Sequence, residues 1–136
     1  MAERILGLDI GTKRIGVAIT DPLCIFAREE TLILRKNDNE ARSEIVKIAR
    51  EYKVKTIVAG LPYNVDGTVG FQAQDCINFI KPLEKDFKIV YCDERYTSSE
   101  AEELLRKEGK KYTKDKGLVD KKAACLILEE YLRGLN

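Results

Sequence analysis

Three acidic residues stand where carboxylates could do chemistry: Asp9 at the end of an apolar run, Glu94 just after another, and Asp120 one turn before Ala123-Ala124. Carboxylates that converge repel, and each drifts toward the neutral acid unless a cation lies among them. A divalent ion removes that conflict. Mg2+ (or Mn2+) suits such a set because it takes oxygen ligands and keeps waters that a phosphate oxygen can displace. Two ions about 4 Å apart can activate a water and stabilise the leaving oxygen of a phosphodiester. Plainer roles stand beside this one. Asp9 can shape the turn before Ile10-Gly11, Glu94 can pair with Arg95, and Asp120 can cap a helix.

No histidine occurs among the 136 residues. Ser-His-Asp and Cys-His relays, an imidazole base and histidine-ligated metals are therefore excluded. Any chemistry falls to carboxylates, lysines, hydroxyls or a bound ion. Cys24, Cys76, Cys92 and Cys125 are widely scattered with no CxxC pair, so reduced structural thiols are expected rather than a disulfide frame or zinc site.

Basic residues lie near the acidic ones. Lys13 and Arg14 follow Asp9 in the segment Gly7 to Gly16, where they could touch phosphate or be solvated charges of a hairpin tip. No Gly-Lys-Ser/Thr follows, so this is not a Walker loop. The stretch from Arg106 to Lys116 places Lys110, Lys111 and Lys114 around Tyr112, shortly before Asp120. Lysines there could hold a sugar-phosphate backbone without reading sequence, and Tyr112 could stack on an unpaired base.

The elements that must position these groups follow from periodicity. Ile5 to Asp9 and Ile15 to Thr20 read as antiparallel strands joined by Gly11-Thr12-Lys13-Arg14. Glu30 to Leu34 is a third strand. Ala41, Ile45, Ile48, Ala49 and Tyr52 mark the buried face of a helix from about Asn39. Thr56 to Ala59 is a strand ending at Gly60, a helix follows over Val69 to Lys85, and Ile89 to Cys92 is the fifth strand. Thr97-Ser98-Ser99-Glu100 offers a capping box for a helix reaching Glu108. Gly109 to Gly117 reads as an exposed loop, and Asp120 as the start of a last helix.

The resulting order, β-β-β-α-β-α-β-α-α, implies a single α/β domain: a five-stranded mixed sheet with helices on its faces. Asp9 and Glu94 then sit at the carboxyl ends of strands one and five, where such sheets bind ligands. The small pair Ala123-Ala124 would let the last helix approach closely and bring in Asp120. A composition of 44% hydrophobic and 35% charged residues is that of a globular protein. No apolar run approaches the roughly 20 residues that a bilayer requires, and the first residues lack a signal-peptide core, so a cytoplasmic location is expected. The net charge of +1 neither favours nor forbids nucleic acid.

Four blocks in this order resemble the YqgF family, also called RuvX: Leu8 to Ala18; Gly60-Leu61-Pro62 with Asn64 and Asp66-Gly67; Asp93-Glu94-Arg95 with Thr97-Ser98; and Asp120 with Ala123-Ala124. The resemblance covers nearly the whole chain and implies a ribonuclease H-like fold with a divalent-metal nuclease site. Carried over by motif, Asp9, Glu94 and Asp120 are its catalytic and metal-holding acids, while Asn64 and Arg95 are candidate substrate contacts. Unlike the wider ribonuclease H pattern, the fourth strand ends in Gly60-Leu61-Pro62 without an acid, so the second carboxylate must come from strand five. The family implies a nucleic-acid partner, with processing of the 5′ end of precursor 16S ribosomal RNA favoured over cleavage of four-way DNA junctions. Two strands of a junction are cut by a matched pair of subunits, and no dimer interface is legible; a monomer or weak homodimer is expected. A non-catalytic nucleic-acid-binding module is the second reading. A phosphotransferase is the third, since Asp9-Ile10-Gly11-Thr12 also resembles a phosphate loop of actin-like and sugar-kinase ATPases.

Overall fold

The computed structural model describes residues 3–62, 66, 68–93 and 116–134, excepting the side chains of Asp93 and residues 116–120. Its strands are β1 (Ile5–Ile10), β2 (Arg14–Thr20), β3 (Ala27–Leu34), β4 (Thr56–Leu61) and β5 (Lys88–Asp93). Helix α1 (Asp38–Glu51) lies between β3 and β4; α2 (Phe71–Ile80) and a 3-10 helix (Lys81–Lys85) lead into β5; α3 (Lys116–Gly134) closes the chain. They form one five-stranded sheet of order β3-β2-β1-β4-β5. The pairs β1–β2 and β2–β3 are antiparallel, and β1–β4 and β4–β5 are parallel. Four strands, β1, β3, β4 and β5, therefore end at the same edge, with β1 central.

Alternation along β1 divides the interior. Leu6, Leu8 and Ile10 join Ile45, Ala49, Phe79 and Ile80 in one apolar cluster, covered by α1 and α2. Ile5 faces the other way, with Ala18, Val58, Ala124, Ile127 and Leu128. Leu6, Leu8, Ile45, Phe79 and Leu128 are among the most deeply buried side chains. Burial of each removes apolar surface from water to the extent of about 1.5–3 kcal/mol. Helix α1 begins where Asn37 accepts a hydrogen bond from the Glu40 N–H at 3.1 Å, and its acidic first turn and basic last turn suit the helix dipole.

The fold is the mixed sheet with flanking helices that the pattern implies, with shifted boundaries. The expected helix over 69–85 is α-helical only over Phe71–Ile80 and tightens to 3-10 geometry at Lys81–Lys85. Pro82 supplies no N–H and crowds the carbonyl four residues back. Strand β3 starts at Ala27, because pairing with β2 extends past its apolar part. The last helix begins at Lys116, so Asp120 lies a turn inside it rather than at its cap. Once the rest of α3 is docked, each further residue adds a bond without new nucleation. The expected helix over 97–108 lies outside the described residues. Cys24, Cys76, Cys92 and Cys125 are all free thiols. Among the described residues no helix is long and apolar enough to cross a membrane.

Candidate active site

Asp9 occupies the next-to-last position of the central strand, half-buried. By alternation it shares the face of Ile5 and Gly7, beneath α3. Its neighbours across the sheet are glycines. Asp9 pairs with Gly16 of β2, and one step past the Leu8–Ala59 pair on β4 lies Gly60, on the same face as Val58. No side chain therefore rises from the sheet on either side of the carboxylate. On β2 and β4 the positions beside Asp9 are backbone alone.

A third glycine sets the height of α3. A Cβ on Gly7 would meet Leu128 Cβ at 3.0 Å and the Ala124 carbonyl oxygen at 3.1 Å. Backbone thus contacts backbone, as the Ala123-Ala124 pair anticipated; both alanines are fully buried. Glu129, Leu132 and Arg133 stand against Ile25 and Phe26 of the β2–β3 loop, at the edge opposite the strand ends. The start of α3 is therefore directed toward the end of β1 that carries Asp9.

The turn after Asp9 is closed by the Gly11 N–H donating to the Arg14 carbonyl at 2.8 Å. A Cβ on Gly11 would stand 2.7 Å from that same oxygen, so only glycine closes this turn. Lys13 is exposed and Arg14 half-buried. Both fit a role at a phosphate, and neither is tied to one by the geometry alone.

Sequence reasoning missed the residue that holds this turn. The Arg35 N–H donates to the Lys13 carbonyl at 2.8 Å, and Arg35 Nη1 donates to the Gly11 carbonyl at 3.0 Å. The guanidinium pairs with Asp75 of α2 (Nη1–Oδ2 2.7 Å, Nη2–Oδ1 2.9 Å) and with Asp38 of α1 (Nε–Oδ1 2.9 Å). It lies 4.8 Å from the Phe79 ring centre, and its side chain is only 6% exposed. Asp75 first, then Asp38, holds the Arg35 guanidinium above its ordinary value. Arg35 in turn holds the Asp38 carboxyl below its own. Beside Asp75, the Cys76 thiol donates to the Ile10 carbonyl at 3.4 Å. Asp75 is 40 residues from Arg35, so no local pattern announces the pair. Only the i, i+3 spacing to Asp38 was readable.

The structure brings Asp9, Lys13 and Arg14 to one end of the sheet and includes the backbone of residue 120 in α3. Glu94, which directly follows β5, lies outside the described residues, as do Asn64, Arg95, Lys110, Lys111, Tyr112 and Lys114. Among the described residues no group of three acidic or cysteine side chains could hold a metal.

A family model described as RuvX, Holliday junction resolvase, matches residues 3–134. A protein of Synechococcus elongatus named as a candidate pre-16S rRNA nuclease is 45% identical over 129 residues, covering 93% of this chain and 87% of the relative. One of Clostridium acetobutylicum with the same name is 41% identical over 134 residues, covering 97% and 99%. Among solved structures, Thermus thermophilus RuvC in complex with a Holliday junction substrate superposes with a TM-score of 0.57 at 12% identity, covering 98% of this chain and 96% of that one. The fowlpox virus resolvase with Holliday junction DNA gives a TM-score of 0.57 at 15% identity, covering 97% and 98%. These two likenesses establish the resolvase-type, ribonuclease H-like fold. With the near-complete match to the family model and to relatives above 40% identity, the chain belongs to the RuvX family.

Proposed function

We propose that the chain is a divalent-metal-dependent nuclease hydrolysing phosphodiester bonds, most suited to trimming precursor 16S ribosomal RNA. The observation that carries the reading is Asp9 at the carboxyl end of the central strand, with glycine on both neighbouring strands of the same face. The fold and family agree with it, and the names of the relatives at 41–45% identity favour ribosomal RNA.

In this reading Asp9, Glu94 and Asp120 hold Mg2+ or Mn2+. Support for Asp120 comes from register. Gly7 abuts Ala124; two residues of strand advance about 6.6 Å and four residues of helix about 6 Å, so the turn bearing residue 120 stands level with Asp9. Support for Glu94 is its position one residue beyond β5, a parallel strand ending at the same edge. A bound ion would supply an acidified water and neutralise charge on the phosphoryl oxygens. The chain's own contribution is to hold carboxylate oxygens in fixed positions, admit the phosphate over Gly16 and Gly60, and orient the backbone through Lys13 and Arg14. Asn64, Arg95, Lys110, Lys111, Tyr112 and Lys114 are the further proposed substrate contacts, on the family resemblance and the basic character of residues 106–116.

The test compares wild type and Asp9→Asn on precursor ribosomal RNA and on a four-way DNA junction, with and without Mg2+. Wild type cleaves the RNA only with the ion, and Asp9→Asn loses at least about 100-fold in rate, since even residues behind a metal ligand cost 10–100-fold. Equal rates in the two proteins, with Asp9→Asn folded, would end the metal-nuclease reading. The second reading, junction resolution, is favoured by the family description and the resolvase fold. Symmetric incision of the junction with intact RNA would establish it instead.

A further inference from the structure

Helix α1 carries basic residues into a groove. Arg42, Lys47 and Arg50 line one wall of a groove of about 650 Å³, and Pro82, Leu83 and Asp86 line the wall opposite. Glu40, Glu44 and Glu51 are exposed outside that lining, on the adjoining side of the helix, where Lys47 at the rim lies three residues from Glu44 and four from Glu51. Among the described residues Asp86 is the one acid in that lining, across the groove from the three cations. Beyond Pro82 a neighbouring cleft adds Lys81 and Lys85 against Glu84. Among the described residues the groove lining therefore carries net positive charge.

Arg42 is set in place before any ligand arrives. Its Nη1 donates to the Phe79 carbonyl at 3.2 Å and its Nη2 to Asn39 Oδ1 at 2.8 Å. The guanidinium also lies 5.1 Å from the Phe79 ring centre. Among the described residues none of Arg42, Lys47 and Arg50 is in an ion pair. From Arg42 to Arg50 the helix rises about 12 Å, long enough to follow a chain across several phosphates. The groove also connects with the site. It begins beside Asn39, next to Asp38, which shares the guanidinium of Arg35 with the Gly11–Arg14 turn. A strand leaving the Asp9 edge over Lys13 and the exposed Lys36 would meet Arg42 first.

We propose that the groove between α1 and the 3-10 helix is a second, sequence-independent track for the phosphodiester backbone of the substrate, remote from Asp9. It rests on the nuclease reading above. The track is on the sheet face opposite Asp9, so it engages only nucleic acid long enough to pass around the β1–β2 turn. It adds affinity for long substrates and leaves the bond-breaking step alone.

The test uses Lys47→Gln with Arg50→Gln, because both side chains are exposed and neither makes the anchoring bonds of Arg42. A control, Lys55→Gln with Arg133→Gln, removes the same charge elsewhere. Affinity is measured against salt for a long and a very short single-stranded RNA, together with Mg2+-dependent cleavage of both. The groove variant should weaken long-RNA binding 3- to 10-fold and flatten its log-affinity against log-salt slope by about 1.4, at roughly 0.7 per phosphate contact on a single strand. Cleavage of the short RNA should match wild type, and the control should match wild type throughout. An unchanged slope in the groove variant, the result expected if the groove serves an acidic protein, would overturn the proposal. So would an equal loss on short RNA, or an equal effect of the control. Failure of the nuclease reading itself shows separately, as Asp9→Asn cleaving short RNA like wild type.

Discussion

At the scale of single residues, glycines do as much for the site as the carboxylate does. Asp9 could stand on many strands; what distinguishes this one is that Gly16 and Gly60 flank it and Gly7 admits α3 to the sheet. The Gly7 contact is testable. In Gly7→Ala the added methyl meets Leu128 Cβ at 3.0 Å and the Ala124 oxygen at 3.1 Å. Helix α3 must lift by a few tenths of an ångström, and neither neighbour is the far end of a flexible chain. Overpacking of this kind costs about 1–3 kcal/mol. The urea midpoint should fall accordingly, with metal-dependent cleavage falling further because the turn bearing Asp120 moves with the helix. A midpoint equal to wild type would mean that the α3 contact is softer than drawn.

At the scale of elements, Arg35 joins parts that no single strand or helix could hold together. One guanidinium binds the β1–β2 turn, the first turn of α1 and the side of α2. Removing it leaves Asp75 and Asp38 facing each other and the Gly11 carbonyl without its donor. Loss of one member of a fully buried pair costs about 3–5 kcal/mol, but Asp75 is 29% and Asp38 48% exposed. Water can therefore recover part of the loss, and Arg35→Gln is expected to cost about 2 kcal/mol by chemical denaturation. Arg35→Lys keeps the charge but not the planar fork, and should recover less than half of that. Full recovery by lysine would show that charge alone, rather than the bidentate geometry, holds the turn.

At the scale of the whole molecule, the two apolar layers set how folding responds to pH. Cys125 packs in the layer under α3. Burial first, then the nearby Glu129, pushes its thiol up from an ordinary 9.0 to about 12. A raised value means that the folded chain keeps its proton while the unfolded chain loses it. The contribution to stability is then whole below pH 9 and disappears as pH rises toward about 12. Wild type should lose stability more steeply than Cys125→Ala between about pH 9 and about pH 12. Parallel curves would show that other groups govern the alkaline limb. The basic groove is likewise a property of the whole, since it exists only where α1 meets the segment after α2.

Much of this was legible from residue order alone. The apolar alternation of Ile5 to Ile10 and Ile15 to Thr20, the 3.6-residue periodicity of α1 and the small pair Ala123-Ala124 determine a strand hairpin, a surface helix and a close-packed last helix, because each is a local rule of side-chain spacing. The same reading singled out Asp9 and excluded imidazole chemistry by the lack of histidine. Tertiary structure alone decided which distant residues became neighbours: Gly60 beside Asp9, Asp75 on Arg35, Pro82 against α1. These contacts join positions far apart in the chain. Their partners are chosen by sheet order and helix packing, which depend on how the two apolar faces of the sheet are covered and not on any local spacing.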